Sequence, residues 1–282
     1  MKELTLGYSP CPNDTFIFYA LAVGLVQAPA DRLEITLADV EELNLEAAEG
    51  ELDICKVSVA AAADILEDYM LLRAGGAMGR GVGPVLVGAH DCSLLDLHGC
   101  KVAIPGRHTT ANLLFSLCCR QNGIEVEPVE LVFDEVMPAI QEGRVDAGVV
   151  IHEGRFTYAS HGLHKLMDLG QWWEDYSGQP IPLGAIAFRR SLGVETAQAV
   201  QRAIRASLQY SWDNPEAPLD YIREHAQEMD DAVIAEHIET FVTGYSMDVG
   251  EEGRSAVMAL LEEAARMNGK ELPGKPVFTP EG

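Results

Sequence analysis

Glu49-Gly50-Glu51-Leu52-Asp53-Ile54-Cys55-Lys56-Val57 can be laid over Glu142-Gly143-Arg144-Val145-Asp146-Ala147-Gly148-Val149-Val150 at a constant offset. Gly50 and Gly143 stand 93 residues apart, and so do Asp53 and Asp146. In each stretch a short helix runs into Glu-Gly, and the glycine suits the left-handed position that closes a helix. The apolar run after the Asp reads as a buried strand. The flanks extend the parallel. Leu4-Thr5-Leu6-Gly7-Tyr8 is a strand, and Asn13-Asp14-Thr15 predicts an N-cap for an apolar helix over residues 16–26. Lys101-Val102-Ala103-Ile104 is likewise a strand, and Thr109-Thr110 caps a helix over 111–121 that Asn122-Gly123 stops. Second strands fall at 33–37 and 129–133. The order β-α-β-α-β therefore occurs twice, which predicts two similar α/β lobes with mostly parallel sheets.

Gly81-Val82-Gly83-Pro84-Val85-Leu86-Val87-Gly88 reads as an apolar strand leaving the first lobe through glycines, and Ile181-Pro182-Leu183-Gly184-Ala185-Ile186-Ala187-Phe188 as the return crossing. Apolar spacing and capping signals then predict helices over 194–212, 219–228, 232–242 and 254–267. Helices alone build no third sheet, so they are expected on the first lobe. The predicted division is residues 1–87 with 187–282 as a discontinuous first α/β lobe and 88–186 as an inserted second. Two mixed or parallel sheets flanked by helices, with a cleft between the lobes, form the architecture of a type II periplasmic-binding-protein fold.

The composition narrows the function. At 282 residues and 48% hydrophobic, the chain can bury one large core or two modest ones. Its apolar stretches are broken well short of the roughly 20 residues a bilayer span needs. The start runs directly into strand-like alternation with no secretory signal pattern, so a cytoplasmic location is expected. The six cysteines show no C-x-x-C pairing and read as buried free thiols. A net charge of −24 argues against nucleic-acid partners. A carboxylate ligand would then need helix N-termini and a few basic side chains for local positive potential.

In open α/β sheets ligands sit beyond the carboxyl ends of strands. Four segments meet that description: 9–15, 56–58, 107–110 and 151–158. Asn13, Asp14, Thr109 and Thr110 offer capping groups and backbone N–H donors suited to a carboxylate or hydroxyls, although capping alone accounts for any single threonine. Lys56 lies in an apolar strand, where an ammonium is costly to bury alone. Either it pairs with an Asp or it faces the ligand, and Ser58 shares its face. Arg80, in the glycine-rich run 75–83, is a further candidate; that run lacks the pattern of a nucleotide cradle. His152 follows the apolar run 147–151 directly, and imidazole is the side chain best suited to proton abstraction near neutrality. The repeat places Val59 at its counterpart position, so one lobe supplies the base and the other binding groups. His161 and His164 have ligand spacing but no third partner, so no metal is expected.

Several stretches together resemble the 1,4-dihydroxy-6-naphthoate synthase family of the futalosine route to menaquinone. They are Gly7-Tyr8-Ser9-Pro10-Cys11-Pro12-Asn13-Asp14-Thr15-Phe16, Asp39-Val40-Glu41-Glu42-Leu43-Asn44, Gly79-Arg80-Gly81, Ile104-Pro105-Gly106-Arg107, Thr109-Thr110-Ala111-Asn112-Leu113, Ile151-His152-Glu153-Gly154-Arg155-Phe156-Thr157-Tyr158 and Pro180-Ile181-Pro182-Leu183-Gly184. The resemblance implies a lyase that converts cyclic dehypoxanthine futalosine to 1,4-dihydroxy-6-naphthoate, releasing a three-carbon fragment, dihydroxyacetone, without metal or organic cofactor. On that likeness His152 accepts the proton, and Lys56, Val57, Ser58, Thr109 and Thr110 contact the small carboxylate substrate.

Two alternatives stand beside it. Chorismate dehydratase of the same pathway shares the fold, but the His152 stretch and the Ser-Pro-Cys-Pro motif favour the first reading. A cytoplasmic small-carboxylate binding protein is the alternative from another class, and a base at the ligand argues against it. The oligomeric state is not encoded in any of these patterns.

Overall fold

The alternation in β1 (Glu3–Tyr8) sends Leu4 and Leu6 into the core at 1% exposure each. The computed structural model describes residues 3–226 and 230–281. The predicted helix end at Glu228 lies outside the described residues. The chain divides into two compact units, residues 1–79 with 182–282, and residues 80–181.

The first unit opens with β1, α1 (Pro12–Ala22), β2 (Arg32–Leu37), α2 (Val40–Glu49), β3 (Ile54–Ser58), α3 (Val59–Ile65), β4 (Tyr69–Leu71) and β5 (Ala77–Gly79). Helix α1 starts a turn earlier than predicted. Pro12 takes the first helical position, where no N–H is needed, so Asn13, Asp14 and Thr15 lie inside the helix and do not cap it. It also stops earlier, at Ala22, because the amides of Leu25 and Val26 return to the Ala20 carbonyl through Gly24 at φ 77°.

The second unit contains β6 (Val85–Gly88), β7 (Lys101–Ile104), α4 (Thr110–Asn122), β8 (Glu127–Glu130), α5 (Val136–Gln141), β9 (Ala147–Val150), α6 (Gly154–Thr157), β10 (His164–Asp168) and α7 (Leu169–Ser177). Its sheet runs β10-β6-β9-β7-β8, with β7 parallel to β8 and β9, and β6 antiparallel to β9 and β10. The strand predicted at 129–133 is shorter and earlier, since Phe133 is buried at the start of a 3-10 turn. A core of Val85, Val87, Ala103, Val136, Ala139 and Ile140 lies within this unit.

The chain re-enters the first unit along β11 (Ile181–Arg189) and continues through α8 (Val194–Asp213), α9 (Leu219–His225), α10 (Asp231–Phe241), α11 (Gly244–Met247) and α12 (Gly250–Met267). The sheet order is β2-β1-β3-β11-β4, with β5 on β11. Here β1 is parallel to β2 and β3, while β11 is antiparallel to β3 and β4. Both sheets thus have the same plan of three parallel strands followed by an antiparallel pair. Helix α8 packs on α1, with Ser207 Oγ donating to the Ile17 carbonyl and Ser211 Oγ to that of Phe16. Leu4, Leu6, Phe18, Ile54, Ile186, Ile204 and Leu208 share one apolar cluster.

The divisions fall earlier at both crossings than the sequence suggested. Val85 to Val87 pair with β9 in the second sheet, and Gly184 to Ile186 pair with β3 in the first. Among the described residues no helix is long and apolar enough to cross a membrane.

The Asp of each repeat stretch accepts an amide from the neighbouring parallel strand, and Asp53 also pairs with Arg189. Asp53 Oδ2 accepts the Thr5 amide two residues into β1, and Asp146 Oδ2 accepts the Lys101 amide at the first residue of β7. Each carboxylate satisfies a backbone donor in the first half of the neighbouring parallel strand. Gly50 and Gly143 both adopt the left-handed backbone, at φ 74° and 68°.

Candidate active site

In the first unit, β1 and β3 lie side by side and parallel, so the segments leaving their carboxyl ends share one edge of the sheet. Lys56, on β3, is 5% exposed, and its Nζ lies 2.5 Å from Asp14 Oδ1 and 3.1 Å from the Gly75 carbonyl oxygen. Gly184 makes room for its stem: a Cβ there would stand 2.8 Å from Lys56 Cε. Asp14 is 1% exposed and well supplied with donors. Asn13 Nδ2 donates to Oδ1 at 2.8 Å, and Ser9 donates to Oδ2 from its hydroxyl at 2.8 Å and its amide at 3.3 Å. Removing two charges from water is costly, and this arrangement offsets the cost by pairing them and filling the carboxylate's remaining acceptor sites. The ion pair is neutral as a whole, and two of the three ammonium protons have partners among the described residues.

Ser58 ends β3 and is tied to α2. Its amide donates to Asn44 Oδ1 at 2.8 Å, and Asn44 Nδ2 donates to Ser58 Oγ at 3.1 Å and to Glu41 Oε2 at 3.2 Å. Asn44 was not among the candidates read individually from the sequence. Its signal was available as an amide between Leu43 and Ala47 on the buried side of an amphipathic helix. The Val57 side chain is fully buried, and the residue pairs with Ala185 across the sheet.

The second unit repeats the arrangement. β7 and β9 are adjacent and parallel, so residues 105–110 and 151–152 leave the same edge. Thr109 is the N-cap of α4, accepting the Asn112 amide at 3.1 Å while its hydroxyl donates to the Gly106 carbonyl at 2.8 Å. Thr110 begins the helix, and both threonines are buried.

His152 stands two residues beyond β9 and is half-buried, with the ring of Phe133 edge-on at 5.0 Å. Its φ is 52°, and it is the one non-glycine in the left-handed region among the described residues. Such conformations are uncommon outside Gly, Asn and Asp and concentrate at functional sites.

Arg155 organises the backbone around this segment by donating to the carbonyls of Gly81 and Gly83 and pairing with Asp168. Gly83 is required there, since a Cβ would come within 2.2 Å of Gly170 Cα. Arg80 sends its guanidinium to Glu174 and the Gly178 carbonyl at the end of α7. Trp173 is fully buried with its indole N–H on the Pro180 carbonyl, and Trp172 stacks on Tyr176.

Burial pushes the thiols of Cys118 and Cys119 up to about 11 and about 12, and that of Cys55 higher still. They stay protonated near neutrality and are poor nucleophiles. Among the described residues no group of three or more His, Cys, Asp or Glu side chains is placed to hold a metal ion.

Two α/β units of one plan, each with polar groups at the carboxyl edge of its sheet, define a protein of the periplasmic-binding-protein fold. The crystal structure of the periplasmic aliphatic sulphonate binding protein of Escherichia coli shares that fold at 15% identity, with a TM-score of 0.66 over 96% of this chain and 95% of that one. The chain belongs to the menaquinone biosynthesis family, whose model matches residues 4–266. It is 50% identical over 264 residues to the 1,4-dihydroxy-6-naphthoate synthase of Thermus thermophilus, covering 94% of each chain. It is 49% identical to the synthase of the same name from Streptomyces coelicolor over 265 residues, 93% of each. Protein AF1704 of Archaeoglobus fulgidus, known from its crystal structure, is similar at 34% identity and a TM-score of 0.87, over 95% of this chain and 98% of that one.

Proposed function

We propose that this chain is a 1,4-dihydroxy-6-naphthoate synthase, an enzyme of menaquinone biosynthesis. It acts as a lyase on cyclic dehypoxanthine futalosine and yields the naphthoate and dihydroxyacetone. The observation that carries the reading is His152: an imidazole at a strand's carboxyl end, in a left-handed backbone, inside the Ile-His-Glu-Gly-Arg-Phe-Thr-Tyr stretch. Near-50% identity to two synthases over almost the whole chain supports it.

In this reading His152 takes a proton from a hydroxyl of the ribose-derived part of the substrate. The electron pair so released breaks the carbon–carbon bond to the three-carbon fragment, and the ring becomes aromatic as the fragment leaves. The proton held on His152 is then available to the departing fragment. Asn13, Asp14, Lys56 and Ser58 with Thr109 and Thr110 bind and orient the substrate, which contributes positioning more than bond-making. Because Asp14 neutralises Lys56, the substrate carboxylate is met by directed donors, among them the remaining ammonium proton, more than by a net positive field. The Val57 main chain and Arg80 complete the proposed binding set.

Purified protein incubated with cyclic dehypoxanthine futalosine is expected to generate naphthoate absorbance together with an equal amount of dihydroxyacetone. Saturable binding of that compound without turnover would overturn the enzyme reading and leave a binding protein.

A further inference from the structure

His237 lies on α10, far in sequence from every residue given a role above, and is 0% exposed. Its neighbours on the buried face, Ile234 and Phe241, are apolar, and packing alone would be satisfied by another apolar side chain there. Its Nε2 is 3.0 Å from Asn13 Oδ1. The chemistry of the next contact fixes the proton on this bond. Asn13 turns its other amide atom to Asp14 Oδ1 at 2.8 Å, and a carboxylate engaged by Lys56 offers only acceptors. The atom facing Asp14 is therefore the NH2 group, the carbonyl faces His237, and Nε2 must carry the hydrogen. Four buried side chains form one directed series, with His237 donating to Asn13, Asn13 to Asp14, and Lys56 to the same Asp14 oxygen.

We infer that His237 is a positioning residue for the substrate-binding arm: its Nε2–H fixes the Asn13 amide, and through it the direction of the Asp14–Lys56 pair. This rests on the reading that Asn13, Asp14 and Lys56 bind substrate. Without the donor, the amide can turn its oxygen toward Asp14 and set two acceptors against each other. The carboxylate would then move and take the Lys56 ammonium with it.

The test compares His237→Leu, which fills the space without a donor, with His237→Gln, whose amide can donate. Both are made in the full chain, with Tm, kcat and KM measured on cyclic dehypoxanthine futalosine. The Leu variant should raise KM about tenfold, the weight of one buried hydrogen bond, with a much smaller change in kcat. The Gln variant should recover most of that loss. A Leu variant of lower Tm but wild-type KM would make His237 purely structural and overturn the inference. If the Leu variant does not fold, nitrogen NMR of the wild-type imidazole decides: a proton on Nε2 whose resonance shifts in Lys56→Met supports the series, and a proton confined to Nδ1 overturns it. Wild-type protein with no turnover would instead refute the proposed function, while the NMR result would still judge the hydrogen-bond series.

Discussion

At the scale of single residues, His152 combines a chemical role with a backbone cost. A left-handed conformation costs an ordinary L-residue about 1–2 kcal/mol, glycine almost nothing, and asparagine less than most. His152→Asn is therefore expected to keep the local backbone while slowing kcat by on the order of 10² to 10⁴, the contribution of one acid–base group. His152→Gly should be equally inactive yet melt at a temperature equal to or above that of the parent. A glycine variant with much reduced Tm would show that the ring is needed for packing against Phe133. The buried pair gives a second residue-scale prediction. Lys56→Met strands Asp14 without its counter-charge and should cost about 3–5 kcal/mol in denaturant unfolding, whereas adding Asp14→Asn should recover part of that loss. If the double variant is no more stable than Lys56→Met alone, the pair is not the source of the cost. The sequence made His152 and Lys56 visible, because Lys56 interrupts an apolar run and His152 directly ends one. It did not show the left-handed φ, since a backbone angle at a histidine leaves no mark in residue type. Nor could it choose Asp14 as the partner of Lys56, 42 positions away.

At the scale of elements, boundaries turned on backbone hydrogen bonding more than on composition. Thr109 caps α4 as the sequence indicated, whereas Asn13-Asp14-Thr15 looks like a cap and lies inside α1 because Pro12 can begin a helix. Asp39 shows what a half-buried cap costs. Its Oδ1 accepts the Glu41 amide at 2.8 Å, while Oδ2 is buried without a hydrogen-bond partner among the described residues. Burial raises its carboxyl above the usual range, Glu42 and Glu41 add to the rise, and the amides of Glu41 and Val40 oppose it. A carboxyl whose pKa is higher in the fold than in the unfolded chain stabilises fully below the unfolded value, near 3.9, and that contribution is lost as pH rises through the folded value. Asp39→Asn keeps the capping oxygen and cannot ionise, so it should match or exceed the parent's Tm at pH 7. Its advantage should shrink toward pH 4. Asp39→Ala should lose about 1 kcal/mol with the cap. Melting curves across that range check both, and an Asn variant clearly less stable at pH 7 would mean that the charge itself supports α2.

At the scale of the whole molecule, the duplication legible in two nine-residue stretches is realised in the strand orders, and Asp53 and Asp146 each accept an amide of the neighbouring parallel strand in their two sheets. The crossing points were harder to read. Residues 81–88 and 181–188 are apolar and glycine-punctuated, but which sheet they join depends on pairing with β9 and β3, which are distant in sequence. The topology nevertheless predicts how the chain can be cut. Residues 80–181 are continuous, contain every strand of the second sheet and hold an apolar cluster of their own, and about 100 residues suffices for an autonomous domain. Expressed alone, this segment should melt cooperatively. In the first unit Gly75 lies against Ile186 and Gly76 against Gly184, so the chain runs through β5 to Gly79 in the direction that leads back along β11 toward Pro182, and a short Gly-Ser linker can join the two ends left by deleting 80–181. That deletion variant should also fold, and without His152 it should be inactive. A non-cooperative melt of the isolated 80–181 segment would show that its sheet needs the rest of the chain to form, and that the two repeats are one folding unit despite their separate sheets.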